Sequence, residues 1–310
     1  MGLVDIKNRI EVASSTRKIT QALQLVAANK MKFYQRQALA SRNYVKELVN
    51  ILGLASDAME FFWLTEKFDT GKTLFVLMTS NKGLCGTMNA RVINFLFSSK
   101  EWNDLPQEQR LLATVGRKGR DAARRLKVPV KIEYPGIAEN IKPIDSLSIS
   151  SDILDLWEAG ELKNVFLVSP HYVNPFTNIP LIRPFLPLSS EIIDAVHQST
   201  DKFEGRTAYL EPDGKAVVKQ AAIQIIESLM TQAFYDLKAS EYSSRMVAMK
   251  KASDAADDMK TSLTLEYNRT RQSIITQSLA ELAAASEAMA DEPFEELEEK
   301  LKPKTVKVQE

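Results

Sequence analysis

The sequence predicts an α/β fold carrying a long antiparallel coiled coil. The N- and C-terminal helices form a rod, and the centre is a mainly parallel, Rossmann-like α/β domain. Three observations carry that prediction. Of 11 Gly and 12 Pro, ten of each fall between Gly53 and Gly214, so residues 3–52 and 215–292 hold neither. Through both of those stretches apolar residues recur at steps of three and four, the period of one helix face. Between them, short apolar runs alternate with helical spacing, the pattern of βαβ units. The chain divides into an N-terminal coiled-coil helix (1–57), a central globular domain (58–211), a C-terminal coiled-coil helix (212–290) and a charged tail (291–310).

The first helix repeats at Ile6, Ile10, Ala13, Leu23, Val26, Ala27, Met31, Tyr34, Ala38, Val45, Leu48 and Leu52, and Gly53 marks its end. Ser56-Asp57 starts a new local turn. Residues 72–80 form a continuous apolar run, as a buried strand does. Asn81–Gly86 is a loop and Met88–Ser98 a helix. Strand candidates follow at Leu111–Val115, Val128–Glu133 and Val165–Ser169, with helices at Asp121–Leu126 and near Ile144–Trp157. Pro184 and Pro187 make Leu181–Leu188 an edge strand at best. The last helix opens at Pro212-Asp213, with Asp213 as N-cap, and repeats from Val217 to Ile275 in a three-four alternation typical of a coiled-coil seam.

At 1.5 Å per residue the two helices run about 75–80 Å and about 115 Å. A compact domain of this size is only about 50 Å across. The helices therefore pair outside such a body, and the longer one overhangs at about residues 265–290. Within Ile274–Ala290 the only charges are Glu281 and Glu287. An apolar-rich tip without a partner of its own predicts a socket supplied by other chains.

Composition narrows the function classes. Lys plus Arg and Asp plus Glu are both 40, so there is no global basic field for nucleic acid. One Cys excludes a disulfide framework, and two His far from it give no zinc spacing. No stretch reaches 18 apolar residues, and charges from Asp5 to Arg9 interrupt any signal peptide. Ile6 stands where a myristoylation motif needs a hydroxyl.

The candidate chemical motifs are weak. Gly71-Lys72-Thr73 has the tail of a phosphate-binding loop, but Glu66 replaces the leading Gly and the triplet precedes a strand, so it reads as the start of that strand. Asn81–Gly86 lies between a strand and a helix, where anions bind in doubly wound folds, yet it lacks GxGxxG and reads as a tightly packed loop. Cys85 reads as a packed thiol. His171 and His197 read as loop or surface residues. Residues 1–46 carry nine basic side chains against Asp5 and Glu11. Such a helix suits a membrane surface, nucleic acid, an acidic partner or an acidic stretch of its own chain. Arg245, Arg269 and Arg271 add donors on the last helix. Six acidic residues in 291–299, then Lys300, Lys302, Lys304 and Lys307, make a mixed-charge tail set off by Pro293.

Several ordered segments resemble the gamma subunit of F-type ATP synthases. They are Asp5–Ile10, Lys18–Ala22 and Val26–Met31 in the first helix, Gly83–Gly86 with Asn89 at the start of the domain, and Glu241–Lys250 and Leu265–Gln277 in the last helix. Residues from about 100 to 205 carry little of the signature. The resemblance implies a central rotor shaft inside a ring of alpha and beta subunits, resting on an epsilon subunit and a membrane ring of c subunits. It implies no cofactor and no catalytic or metal residue on this chain, ATP and Mg being bound by the partner subunits, and membrane contact only through partners. It sets Arg271 and Gln272 against a beta-subunit catch loop. Leu23, Arg245 and Thr276 fall in the inter-helix and beta-lever region, and basic residues such as Lys30 face the acidic lever.

Leu23 stands where many relatives carry Met, a near-isosteric change. Ser278 stands where relatives often have Glu, and the single Cys excludes the two-Cys switch of chloroplast relatives. The chain runs about 20 residues past the family's usual end, either emerging at the top of the ring or folding back. The expected place is the cytoplasmic face of a bacterial membrane, ahead of the mitochondrial matrix side. Three other readings stand beside this one. They are a coiled-coil binding module with an α/β head, a nucleotide-binding α/β enzyme, and a gamma-like subunit of a hydrolysis-dedicated rotary ATPase.

Overall fold

The computed structural model describes residues 2–54, 68, 70–136, 143–188, 211 and 213–290. Pro212, Ser56-Asp57, His197 and the tail 291–310 lie outside the described residues. The chain divides into two compact units, one of residues 20–251 and one of residues 1–19 with 252–310.

In the larger unit, α1 (Leu3–Leu54) and α6 (Gly214–Ala290) contribute their inner segments. The central elements are β1 (Lys72–Met78), α2 (Met88–Ser98), the one-turn α3 (Lys100–Asn103), β2 (Arg110–Val115), α4 (Arg117–Arg125), β3 (Ile132–Tyr134), α5 (Pro143–Glu158), β4 (Leu162–Asn174) and β5 (Thr177–Leu186). The sheet order is β3-β2-β1-β4-β5. The first four strands are mutually parallel and β5 runs antiparallel on β4.

Strand geometry explains the continuous apolar run in β1. Successive side chains point to opposite faces, and both faces are covered. Leu74, Val76 and Met78 join a core with α5 (Ile149, Ile153, Trp157), the end of α1 (Leu48, Leu52) and α6 (Ile225, Ile226, Phe234). Phe75 and Leu77 face α2 (Val92, Ile93, Leu96), Trp102 and the Ala122-Ala123 face of α4. A strand buried on both sides has no reason to alternate apolar with polar.

The helix starts follow local chemistry. Asp213 Oδ1 accepts the Ala216 amide at 2.8 Å, so it is the N-cap its position suggests. Within this unit α1 and α6 run antiparallel. Moving along α1 from Lys30 through Arg42 to Tyr44, the partners on α6 fall from Tyr242 through Asp236 to Gln224.

The strand bounds differ from the apolar runs. β4 extends five residues past Ser169, through Pro170 and His171. β5 begins at Thr177 and contains Pro180 and Pro184. Pro170 faces Pro180, and Pro184 faces Phe166. Two prolines can oppose each other only where neither amide donates across the pair. The same alternation makes 166/184 a non-bonded pair, so both β5 prolines delete amides that would point outward from the sheet edge. Pairing of β4 with β1 stops at Val168, so Pro170 leaves no ladder bond unmade there. β3 is shorter than the apolar run 128–133, because Val128 and Val130 pack under α4 before the strand begins.

The smaller unit pairs residues 3–19 of α1 with the outer part of α6. Ile6, Ala13, Ala256 and Leu263 are buried, and Arg17 meets Asp257 at 3.0 Å. From residue 271 to 287 every side chain is exposed.

Gly116 links β2 to α4 at φ +90°, and a methyl there would collide with the Thr79 carbonyl. Gly116→Ala should cost about 1–3 kcal/mol from backbone strain, and more if Thr79 cannot move. It should appear as a lower urea midpoint with an unchanged slope.

Candidate subunit-contact surfaces

Leu23, Lys30 and Arg245 lie in the larger unit. Leu23 is 37% exposed. Lys30 Nζ sits 5.4 Å from the centroid of the Tyr242 ring, and the Arg245 guanidinium 5.2 Å from it. The structure thus brings these two cations to one aromatic ring, which Tyr34 stacks at 5.6 Å. The negative face of the ring attracts both.

Arg245 is not a free surface charge. Its NH2 group donates to Glu241 Oε1 at 2.7 Å and to the Gly83 carbonyl at 3.1 Å. Glu241 is buried and its Oε2 accepts from Lys238 Nζ at 3.0 Å, the lysine side chain being only 2% exposed. A buried carboxylate between two cations is held because removing either would leave unpaired charge in a dry site. The arginine therefore fastens the loop after β1 to α6. Burial pushes the Tyr34 hydroxyl pKa up, with Tyr242 adding to it and Lys30 opposing.

Arg271, Gln272 and Thr276 lie in the smaller unit and are exposed. Gln272 follows Leu265 by seven residues and precedes Ile275, Leu279 and Leu282 by three, seven and ten. All belong to one face of the helix. The four apolar residues are 57%, 47%, 62% and 67% exposed. Of the site residues read from the sequence, Lys30 and Arg245 meet at Tyr242, Leu23 is exposed elsewhere on α1, and Arg271, Gln272 and Thr276 lie on the exposed end of α6.

The loop Asn81–Gly86 and the start of α4 occupy the carboxyl edge of the parallel strands, where this fold class binds anions. Here the donors are used internally. At the first turn of α4, the Arg117 amide donates to Asn81 Oδ1 (2.9 Å), the Lys118 amide to the Ser80 carbonyl (3.2 Å) and the Gly119 amide to Thr79 Oγ1 (2.8 Å). Asn89 locks the loop. Its Oδ1 accepts the Ser80 amide, and its Nδ2 donates to Ser80 Oγ at 2.8 Å and to Cys85 Sγ at 3.1 Å. The first-turn amides of α4 are thus occupied and Cys85 is buried, while Lys82, Gly83, Leu84 and Gly86 are exposed, so the tight packing expected of this loop holds at Cys85 alone. Gly71, just before β1, has φ +112°, and a methyl there would lie 2.9 Å from the backbone at Leu162, a packing role.

His171 corrects the sequence reading, which made it a loop or surface residue. It is in β4, partly buried, with Nδ1 2.9 Å from Asp236 Oδ2. Asp236 is fully buried and also meets Arg42 and Arg183. Neither this cluster nor Lys238–Glu241 is legible from periodicity. Charged residues on an amphipathic helix read as a solvated face, and only enclosure of α6 by α1 and the β4–β5 pair turns them inward. The nearest signal is the density of small residues beside them, Ala239, Ser240, Ser243 and Ser244.

The larger unit is thus a pair of long helices packed on an α/β sheet covered on both faces, the class of a helical stalk with an α/β head. The ATP synthase family matches over residues 2–289. The gamma chain of Polaromonas naphthalenivorans ATP synthase is 32% identical, the alignment covering 92% of this chain and 98% of that one. That of Heliobacterium modesticaldum is 30% identical over 93% and 99%. A chain in the cryo-EM structure of the Euglena gracilis mitochondrial ATP synthase with OSCP, F1 and c-ring shares the fold. Its TM-score is 0.61 at 17% identity, covering 99% of this chain and 100% of that one. This chain belongs to the ATP synthase gamma chain family. Membership sets aside the unrelated coiled-coil module and the nucleotide-binding enzyme.

Burial raises the Cys85 thiol above its ordinary value of 9.0, the Ser80 hydrogen bond opposing. A raised thiol favours folding below its ordinary range, a contribution lost as pH rises through it. Near pH 8, alkylation of Cys85 should be on the order of ten-fold slower in the folded chain than in urea. Equal rates in a stopped-time assay would contradict the packed-thiol assignment.

Proposed function

We propose that this chain is the central rotor shaft of an F-type ATP synthase, coupling proton flow through a membrane rotor to ATP chemistry in the catalytic ring. The observation that carries this reading is the uncovered apolar stripe on α6 from Leu265 to Leu282, in a chain of the gamma family. Such a stripe is stable in water only where something else covers it, and a collar of alpha and beta subunits is the cover that the relatives' assembly supplies.

The chain does no ATP chemistry itself. Nucleotide and Mg are held by the ring, and the occupied amides of α4 support that division of labour. Its partners are the alpha and beta subunits, an epsilon subunit and the c-ring. Its contact with the membrane runs through them, on the cytoplasmic face of a bacterial membrane. Among the described residues, no helix is long and apolar enough to cross a bilayer.

The mechanism follows from asymmetry. A shaft without three-fold symmetry meets three identical beta subunits in three ways, so its angle biases which of them is open or closed. Reciprocity makes nucleotide binding bias the angle in return. Arg271 and Gln272 meet a beta loop at the exposed stripe, Leu23, Arg245 and Thr276 lie in the inter-helix and beta-lever region, and Lys30 faces the acidic lever. Exposed polar contacts at a sliding surface must be weak, because a strong buried pair would trap one angle.

Co-purification with alpha and beta subunits, followed by an ATPase assay with and without this chain, tests the reading. Equal turnover without the chain would sink it. Arg271→Ala with Gln272→Ala should lower coupled synthesis by up to about five-fold, the factor that about 1 kcal/mol of exposed contact allows. Unchanged torque and turnover would remove those residues from the contact.

A further inference from the structure

The carboxylate of Asp236 on α6 is fully buried and is held from three other elements. Oδ1 accepts from Arg42 of α1 at 3.3 Å. Oδ2 lies 3.1 Å from the Arg183 NH2 group of β5 and 2.9 Å from His171 Nδ1 of β4. Arg183 also reaches His171 Nδ1 at 2.7 Å. A ring nitrogen cannot donate to Asp236 and accept from Arg183 at once, so the imidazole serves one while the guanidinium serves both.

This cluster belongs to a row of polar ties between α6 and the head. Thr231 Oγ1 meets Ser146 at 2.8 Å, Ser244 Oγ accepts from Asn178 at 2.9 Å, and Arg245 holds Gly83. Around them the contact between sheet and helices is apolar. Apolar contact is non-directional, so it opposes separation far more than sliding. Guanidinium–carboxylate bonds have fixed geometry and oppose sliding directly. A carboxylate without water access cannot trade these partners for solvent. An apolar residue at 236 would hold the layers together without fixing their offset.

We propose that Asp236 is a positioning residue that locks the β4–β5 edge to the helix pair against sliding. It thereby sets how stiffly a load applied to the sheet reaches the helices. The first statement concerns the chain alone, and the second rests on the rotor reading above.

Spin labels on the full chain test the lock. One pair joins Leu39 of α1 to Ile179 of β5, the other Gln220 of α6 to Ile179, all three sites being exposed. In double-resonance distance measurements, Asp236→Asn should broaden both distributions by about 1.5-fold or more, with helical signal and cooperative melting retained. Arg42→Gln should broaden the Leu39 pair alone, a selectivity that general loosening does not produce. Unchanged widths in Asp236→Asn, or equal broadening of both pairs by Arg42→Gln, would overturn the lock. If Asp236→Asn does not fold, Arg42→Gln and Arg183→Lys carry the same test, the latter keeping charge while losing the fork. In the reconstituted ring, a probe on the head should show wider angular fluctuation with Asp236→Asn at unchanged ATPase rate. An unchanged width would overturn the stiffness role. A wild-type chain that leaves the ring's turnover unaltered would instead fail the rotor reading, with the lock still judged by the distances.

Discussion

From Asp236 to Ser243 the second long helix is buried on every side, and Asp236, Lys238 and Glu241 are charged. Much of the larger unit can be understood as the satisfaction of that stretch. An isolated charge in such a place costs several kcal/mol, so each must find a partner on a neighbouring element. Arg42 comes from α1, His171 and Arg183 from the β4–β5 pair, and Arg245 from one turn further along α6. Arg245 then uses its remaining donor capacity on the Gly83 carbonyl, which draws in the loop after β1. The extension of β4 beyond the parallel sheet has its reason here. Only that extension carries His171 and Tyr172 to the helices, where Tyr172 packs with Tyr34 and Tyr242.

The head uses a doubly wound arrangement in which the first-turn amides of α4 are occupied by the chain itself. In doubly wound folds generally, the first-turn amides of a helix after a parallel strand are free to meet an anion. In this chain Asn81, Ser80 and Thr79 reach across from the β1 loop and take them. Gly116 and Gly119 allow the close approach this requires, both lying against Thr79. The same backbone that could cradle a phosphate is thereby converted into a rigid joint.

The two long helices place polar and apolar surface according to what covers them. Where the sheet and α5 cover α6, its apolar positions are buried from Val218 to Leu237. In the smaller unit the last buried apolar residue is Leu263, and the helix continues to Ala290 with its apolar stripe open. Residues 3–52 of the first helix and 215–290 of the second contain no Gly or Pro, which removes the commonest causes of bends and kinks. For a part that transmits torque, the absence of a soft joint matters as much as any contact.

The sequence by itself determined both long helices, the capping of the second at Asp213, the identity of β1 as a strand buried on both faces, the edge position of β5 and the overhang of α6. These depend on local rules: period, cap chemistry, and the inability of proline to serve a central strand. The ordered motifs at both ends also carried the family. Tertiary structure alone decided the inward turn of Asp236, Lys238 and Glu241, the partnership of His171, and the continuation of β4 through Pro170. It also decided that the Gly83 carbonyl is tied to Arg245. In each case the deciding partner is distant in the chain, 194 residues from Arg42 to Asp236 and 162 from Gly83 to Arg245. A charge on a helix faces water unless another element removes the water, and no local pattern records which element will do so.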